Sequence, residues 1–229
     1  MKRSEINQAI KNALEILERN SMKLPNFAYW NRQQWEEHKG ETDDLKKIML
    51  GWDVTDFGSG DFRHVGAVLF TLRNGLLGDD RYGTPYAEKL MVLKSVDRQS
   101  LPMHCHLQKT EDIINRGGGV LEIKLYGSKE DGTLDPDSPV KVRMDGIMRT
   151  VNPGEILAIE KGDSITLTPG IYHSFWVKEG RGDLVAGEVS SVNDDKTDNI
   201  FVEKRPRFSE IVEDEPAEYI LCNEYEMMI

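Results

Sequence analysis

The stretch PMHCHLQKTE, residues 102–111, holds two histidines one residue apart and a glutamate five residues after the second. The whole chain has five histidines: His38, His64, His104, His106 and His173. Side chains two apart on a β-strand share a face. His104 and His106 are therefore expected to aim their imidazoles at one point, with Cys105 facing away as a packing thiol. A turn or bulge around Leu107–Gln108 would bring Lys109 and Glu111 to the same interior. Two imidazoles and a carboxylate form a usual set for a divalent transition metal, and mixed nitrogen and oxygen donors admit Mn, Fe, Co, Ni or Zn. A third imidazole lies in GDSITLTPGIYHSFWV, where His173 follows the turn signal Thr168-Pro169-Gly170. If a barrel closes, that strand can lie beside the one holding His104. His38, in a polar stretch, and His64, in GDFRH, have no comparable pattern.

A site of this kind needs strands to hold it, and the chain from about residue 51 onward reads as strands. GAVLFTLRNG (66–75) is an apolar run closed by an Asn-Gly turn signal. YAEKLMVLKSV (86–96), VLEIKLYG (120–127), VKVRMDG (140–146), TVNPGEILAIEKGDSITLTPG (150–170), IYHSFWVKEG (171–180) and GDLVAGEVSSV (182–192) follow, most with Gly, Pro, Asn or Asp at the joints. Many short strands without intervening helices point to an antiparallel sandwich or barrel. The tail EDEPAEYILCNEY (213–225) reads as an acidic turn followed by a late strand at YILC. The three glycines of NRGGG are expected in a tight turn with positive φ. NDDKTDN (193–199) reads as a polar loop; as a calcium loop it lacks the glycine and distal glutamate of an EF-hand.

Helices are confined to the start. In SEINQAIKNALEILERN (4–20), Ile6, Ala9, Ile10, Ala13, Leu14 and Leu17 recur at helical spacing, with Ile16 to one side. Ser4 is the expected N-cap. The stripe must be buried in the core or in a dimer interface. A second, polar helical stretch is expected over roughly 31–50. The organisation is one domain over 1–229: a helical extension (1–50), then a β-barrel with a C-terminal tail (51–229).

Composition narrows the partners. The chain has 229 residues, 40 Asp and Glu against 29 Lys and Arg, and a formal net charge of -11. Nucleic-acid binding needs clustered Lys and Arg, so no nucleic-acid partner is expected. No apolar run is long enough to span a bilayer, and no membrane partner is expected. MKRSEINQ carries basic residues with no apolar stretch behind them, unlike a signal peptide. Two cysteines, Cys105 and Cys222, build no disulfide framework. Together these give a cytoplasmic expectation.

The histidine pattern resembles the cupin superfamily. Its first motif is Gly-x5-His-x-His-x3–4-Glu-x6-Gly; His104, His106, Glu111 and Gly118 fit it, and Arg98 replaces the leading glycine. Its second is Gly-x5-Pro-x-Gly-x2-His-x3-Asn; Gly162, Gly170 and His173 fit, with Thr168 for the proline and Val177 for the asparagine. This resemblance implies a mainly β cupin barrel (a double-stranded β-helix or jelly roll) whose metal is held by His104, His106, Glu111 and His173.

A closer likeness exists. MHCHLQKTEDIINRGGG (103–119), GDFRHVGAVLFTLRNG (60–75), YAEKL (86–90), VNDDKTDNIFVEKRPRF (192–208) and the terminal LCNEY resemble the bacterial D-lyxose isomerase family. That implies a metal-dependent ketol isomerase, with Mn²⁺ favoured, interconverting D-lyxose with D-xylulose and also D-mannose with D-fructose. It implies a homodimer, Glu203 as a catalytic carboxylate and Arg207 as a group orienting substrate or stabilising charge. Lys109, between the ligands in sequence, is expected to donate to a sugar oxygen, and Lys89 is a further candidate for the same interior. The competing readings are an iron dioxygenase, a cupin phosphosugar isomerase and a non-catalytic sugar-binding cupin.

Overall fold

A computed structural model describes residues 1–192 and 197–228. The first four residues of the loop weighed as a calcium site, 193–196, lie outside the described residues. Among those described are three α-helices: α1 (Arg3–Arg19), α2 (Arg32–Glu37) and α3 (Asp43–Lys47). The strands are β1 (Gly51–Thr55), β2 (Ala67–Leu76), β3 (Asp79–Leu93), β4 (His104–His106), β5 (Glu111–Gly118), β6 (Leu121–Ser128) and β7 (Leu134–Asp135). They continue with β8 (Val140–Met144), β9 (Ile147–Val151), β10 (Ile156–Ile159), β11 (Ser164–Leu167), β12 (Tyr172–Val177), β13 (Leu184–Ser191) and β14 (Asn199–Phe201).

Two antiparallel sheets face each other. One runs β1-β2-β3-β13-β5-β11-β8-β9 and the other β10-β6-β12-β4-β14, with β7 beside β6. This is the expected mainly β cupin barrel with a helical N-terminal extension. Leu69, Met91 and Ile113 of the first sheet meet Ile123, Leu125 and Phe175 of the second in the core between them. β1, the first half of β2, the last third of β3 and most of β13 are buried on both faces, and their alternation divides the work. On β3, Leu90 and Val92 join the cluster under α1, whereas Met91 and Leu93 join the core. The interior row then changes chemistry along the strands. Beyond Met91 comes Lys89, beyond Ala186 comes Glu188, and beyond Ile113 comes Glu111, all buried. The charged end of these rows is the end that carries the site.

Helix α1 buries Ile6, Ala9, Ile10, Ala13, Ile16 and Leu17 against Trp52, Val54, Val68, Phe70 and Val185 on the outside of the larger sheet. Each buried Ile or Leu stabilises by roughly 1.5–3 kcal/mol. The stripe is therefore core, and it is centred one position from the expected line: Ile16 is buried and Leu14 only partly so. The N-cap is Lys2 rather than Ser4, and the Lys2 amide donates to Glu5 Oε2 at 2.9 Å. The start is pulled forward because Lys2 bridges Val212 and the Arg3 amide donates to the Val212 carbonyl. Ser4 instead bonds Asp214.

Three further expectations shift. The polar stretch over 31–50 folds as two short helices, α2 and α3. Asn74-Gly75 does not close a hairpin; β2 runs through it and turns at Gly78, whose φ is +78°. YILC makes no strand: Leu221 forms a single bridge to Trp52, and Cys222–Met228 is a 3-10 helix. Gly118, in NRGGG, does have positive φ (+81°), and a Cβ there would lie 1.9 Å from the Asp183 carbonyl oxygen.

The C-terminal segment crosses the end of β1. Thr55 Oγ1 donates to the Arg207 carbonyl at 2.9 Å, and the Asp56 amide donates to Ser209 Oγ at 2.8 Å. Gly58 (φ +68°) lets Pro206 sit where a Cβ would lie 2.5 Å from its ring. Arg3 then ties helix to tail by ion pairs with Glu213 and Glu224.

Candidate metal centre

Strand β4 is three residues long and has a histidine at each end. His104 pairs with His173 of β12 and with Phe201 of β14, and His106 pairs with Asn199. One nitrogen from each of His104, His106 and His173 lies within 4.8 Å of the others, and all three residues are buried. Parity puts the first two on one face, and register brings the third beside them.

Glu111 opens β5, opposite Ser190 of β13 and Leu167 of β11. Its Oε1 lies 3.3 Å from His106 Nε2 and 3.1 Å from His173 Nε2. The bend that delivers it is built by Asp198. Oδ1 of this buried carboxylate accepts the amides of Leu107 and Gln108 at 3.1 and 2.7 Å, and Oδ2 accepts that of Lys109 at 3.3 Å. The turn expected at Leu107–Gln108 is thus held by a residue about 90 positions away in the chain.

The tautomers of His104 and His173 follow from their partners. His104 Nδ1 lies 2.8 Å from the Pro102 carbonyl and His173 Nδ1 lies 3.0 Å from the Ile171 carbonyl. A carbonyl only accepts, so Nδ1 carries the proton and Nε2 keeps its lone pair. Asp198 Oδ2 lies 3.6 Å from His106 Nδ1. His106 Nε2, His173 Nε2 and Glu111 Oε1 are buried and make no hydrogen bond. Buried polar atoms are almost always satisfied, so the Glu111 Oε1 and His173 Nε2 acceptors, with an unbonded His106 nitrogen beside them, fit a cation between them. Protonation agrees. Burial, followed by the neighbouring imidazoles, pushes His104 well below its ordinary value. Burial also lowers His106, against the opposing pull of Glu111. Burial alone would raise Glu111, but the Lys109 ammonium and then His106 hold it well below the usual carboxylate range. Neutral imidazoles and an ionised carboxylate are the forms a metal takes.

Two lysines and a second glutamate share the chamber. Lys109 Nζ lies 2.7 Å from Glu111 Oε2 and 3.0 Å from Glu188 Oε1. Lys89 Nζ lies 3.4 Å from the same Glu188 oxygen, and Ser190 Oγ lies 3.2 Å from it. All four charged groups are buried. Arg207 closes part of the wall, held by Asp53 Oδ2 at 2.6 Å and stacked over Phe57 and Phe208.

Glu203, expected as the catalytic carboxylate, stands elsewhere. Its side chain is 75 % exposed and ion-paired with Arg205, and it forms no part of the cavity wall. Strand β14 ends at Phe201, so the two-residue parity that would have turned Glu203 inward with Phe201 is broken. Glu188 and Asp198 are the groups that sequence reasoning passed over. A charge inside the apolar run LVAGEVSS was a signal for Glu188; nothing local marks Asp198. His38 stacks on Trp30 and His64 sits on the surface beside Asp61, both away from this centre.

A family model described as D-lyxose isomerase matches residues 1–225. A D-lyxose/D-mannose isomerase of Serratia proteamaculans is 44 % identical over 227 residues, covering 98 % of each chain. One of Escherichia coli O157:H7 is 43 % identical over 226 residues, with the same coverage. Among solved structures, the L-ribose isomerase of Acinetobacter sp. DL28 in complex with L-ribose superposes with a TM-score of 0.59 at 15 % identity, covering 89 % of this chain and 93 % of that one. The L-ribose isomerase of Geodermatophilus obscurus gives 0.56 at 18 % identity, covering 93 % and 98 %. At such identities the likeness to these two concerns the fold.

Proposed function

Since this chain belongs to the D-lyxose isomerase family, we propose that its aldose–ketose isomerase site interconverts D-lyxose with D-xylulose and D-mannose with D-fructose, with a divalent metal, Mn²⁺ by preference. The observation that carries this reading is the shared chamber: Lys109 reaches both Glu111, in the ligand cluster, and Glu188, outside it.

His104, His106, Glu111 and His173 would hold the metal. When bound, it supplies Lewis-acid stabilisation of the negative charge that gathers on the two reacting oxygens. The chain's own groups handle the protons. Glu188 takes the proton from carbon 2 of the open-chain aldose and returns it to carbon 1. The hydroxyl proton of oxygen 2 passes to oxygen 1, with the Lys109 ammonium bonding these oxygens. The double bond to oxygen thereby moves from carbon 1 to carbon 2 with no net gain or loss. Glu111 is unsuited to the carbon proton, because a carboxylate on a cation has its lone pairs engaged and its basicity lowered. Lys89 and Arg207 supply donors to the substrate hydroxyls. General-base assistance of this kind contributes roughly 10²–10⁴-fold.

The test is to reconstitute the protein with Mn²⁺, add D-lyxose or D-mannose, and follow ketose formation under nitrogen. Ketose without oxygen consumption is the expected result. Oxygen uptake, or sugar binding without turnover, would point to a different cupin chemistry. Two further parts of the reading are a homodimer, checked by light scattering at micromolar concentration, and a cytoplasmic location, in keeping with a chain that has only two cysteines.

A further inference from the structure

The chamber beside the metal ligands encloses about 40 Å³. That holds a few water molecules and is too small for a five-carbon sugar. Two of its wall residues, Lys89 and Arg207, are also walls of a neighbouring cavity of about 340 Å³. This second volume lies within the range of roughly 300–1,000 Å³ typical of small-molecule sites. It continues the same polar row: Glu188 pairs with Lys89 across β13 and β3, and Lys89 pairs with Thr71 across β3 and β2. Asp53 of β1 and Asn74 of β2 lie on the same wall, with Met49 and Phe208 as apolar neighbours.

Asp53 is the anomaly in that wall. The residue is 4 % exposed. Its Oδ2 accepts from Arg207 Nη2 at 2.6 Å, while its buried Oδ1 has no hydrogen-bond partner. A buried carboxylate oxygen without a donor is costly and suits a site that a ligand hydroxyl completes.

We infer that the larger cavity is the subsite for the part of an open-chain aldose remote from carbons 1 and 2, and that Asp53 is a substrate-positioning residue there. This inference rests on the proposed isomerase activity. A neutral polyol brings hydroxyl donors. Asp53 accepts from one of them through Oδ1, and Lys89 and Arg207 hold the middle of the sugar chain at the boundary between the chambers. Selection among aldoses is then made at the distal hydroxyls, away from the reacting carbons. A site built to bond a hydroxyl discriminates strongly against the analogue lacking it.

The experiment uses the full-length, metal-loaded enzyme. It measures kcat and KM for D-lyxose and its 4-deoxy and 5-deoxy analogues, in the wild-type protein and in Asp53→Ala and Asp53→Asn. The wild type is expected to favour D-lyxose over at least one analogue by about tenfold or more in kcat/KM. In Asp53→Ala that ratio falls to within about twofold of unity, mainly through KM, with metal content unchanged. Asp53→Asn, which keeps an acceptor but loses the charge, lies between. If Asp53→Ala does not fold, Asp53→Asn carries the test: its ratio must drop, and an unchanged ratio overturns the inference. A wild type indifferent to the deoxy analogues also overturns it. A wild type that converts no aldose removes the isomerase reading itself, whereas conversion with an unaltered ratio removes only the subsite.

Discussion

Glu188 Oε1 lies 3.0 Å from Lys109 Nζ, although the two residues stand 79 apart in the chain. Glu188 is brought there from the middle of β13, between Lys89 on one neighbouring strand and Ile113 on the other. The carboxylate is buried, outside the cluster of three histidines and Glu111 and inside the chamber those residues line. Glu188→Gln is expected to retain metal and sugar binding and to lose about 10²–10⁴-fold in kcat. Glu203→Gln, altering an exposed side chain, is expected to stay within about twofold of wild type. The reverse ranking in steady-state kinetics would move the proton-transfer role to Glu203.

Replacing His106 with Ala removes an imidazole whose two nitrogens make no hydrogen bond and leaves Glu111 and His173 with an incomplete set. Elemental analysis of the variant is expected to find little metal, and ketose formation is expected to vanish. Circular dichroism should still report a β-rich fold, since the barrel core lies elsewhere. Full metal occupancy in this variant would exclude His106 as a ligand.

Asp198 holds the 107–109 bend and approaches His106 Nδ1. Outer partners of ligating histidines typically matter by about 10–100-fold in metal affinity or activity. Asp198→Ala is expected to weaken metal binding by that factor in a chelator-competition titration. Asp198→Asn keeps an acceptor and should recover part of the loss. Unchanged affinity in both variants would rule out this role.

The metal-free protein should weaken as pH falls. His104 and His106 have depressed pKa values because they are buried. In the unfolded chain they regain ordinary values near about 6.5. Below that pH the unfolded state binds more protons than the folded one, so stability present above about 6.5 is lost on acidification. Glu111, also depressed, extends the loss to lower pH, below its ordinary carboxylate value. Thermal melts of metal-free protein between pH 7 and 5 should show a falling Tm. A His104→Asn, His106→Asn double variant should show a shallower fall. Identical slopes would contradict the assignment.

Arg3 is fully buried and ion-paired with Glu224, itself nearly so, and with the exposed Glu213. Arg3→Ala leaves Glu224 buried without this cation, a change that costs about 3–5 kcal/mol in comparable cases. For a chain of this size each kcal/mol corresponds to roughly 2–4 °C. A Tm within about 2 °C of wild type would show that the pair is energetically idle.

Much of the candidate cluster could be read from local rules. Strand parity alone aligns His104 with His106, and a turn was foreseeable before Glu111. The rest depended on register and distance. His173 reaches the cluster only because β12 pairs with β4 at that residue. Glu188 was concealed by alternation itself: in a two-sided buried strand an inward charge and an outward charge look alike, as Glu88 and Lys89 also illustrate. Glu203 was expected from the family resemblance alone, and its side chain lies exposed beyond the end of β14. At the N-terminus, helix periodicity was plain, but the cap belonged to the tail, whose pairing with Lys2 no local signal announces.

Arg3 and Glu224 are separated by 221 positions, and Arg3 and Glu213 by 210. During synthesis the apolar side of the first helix can be covered once β1–β3 have emerged, but its buried cation stays unmatched until Glu213 and Glu224 arrive. The segment bearing Arg207 and Phe208 comes equally late. Contacts this distant in sequence slow folding, and a nascent chain that exposes them invites association with its neighbours. The delay places the danger at translation rather than at catalysis, and a nonsense codon ahead of Glu213 would leave a nearly complete barrel without its clasp.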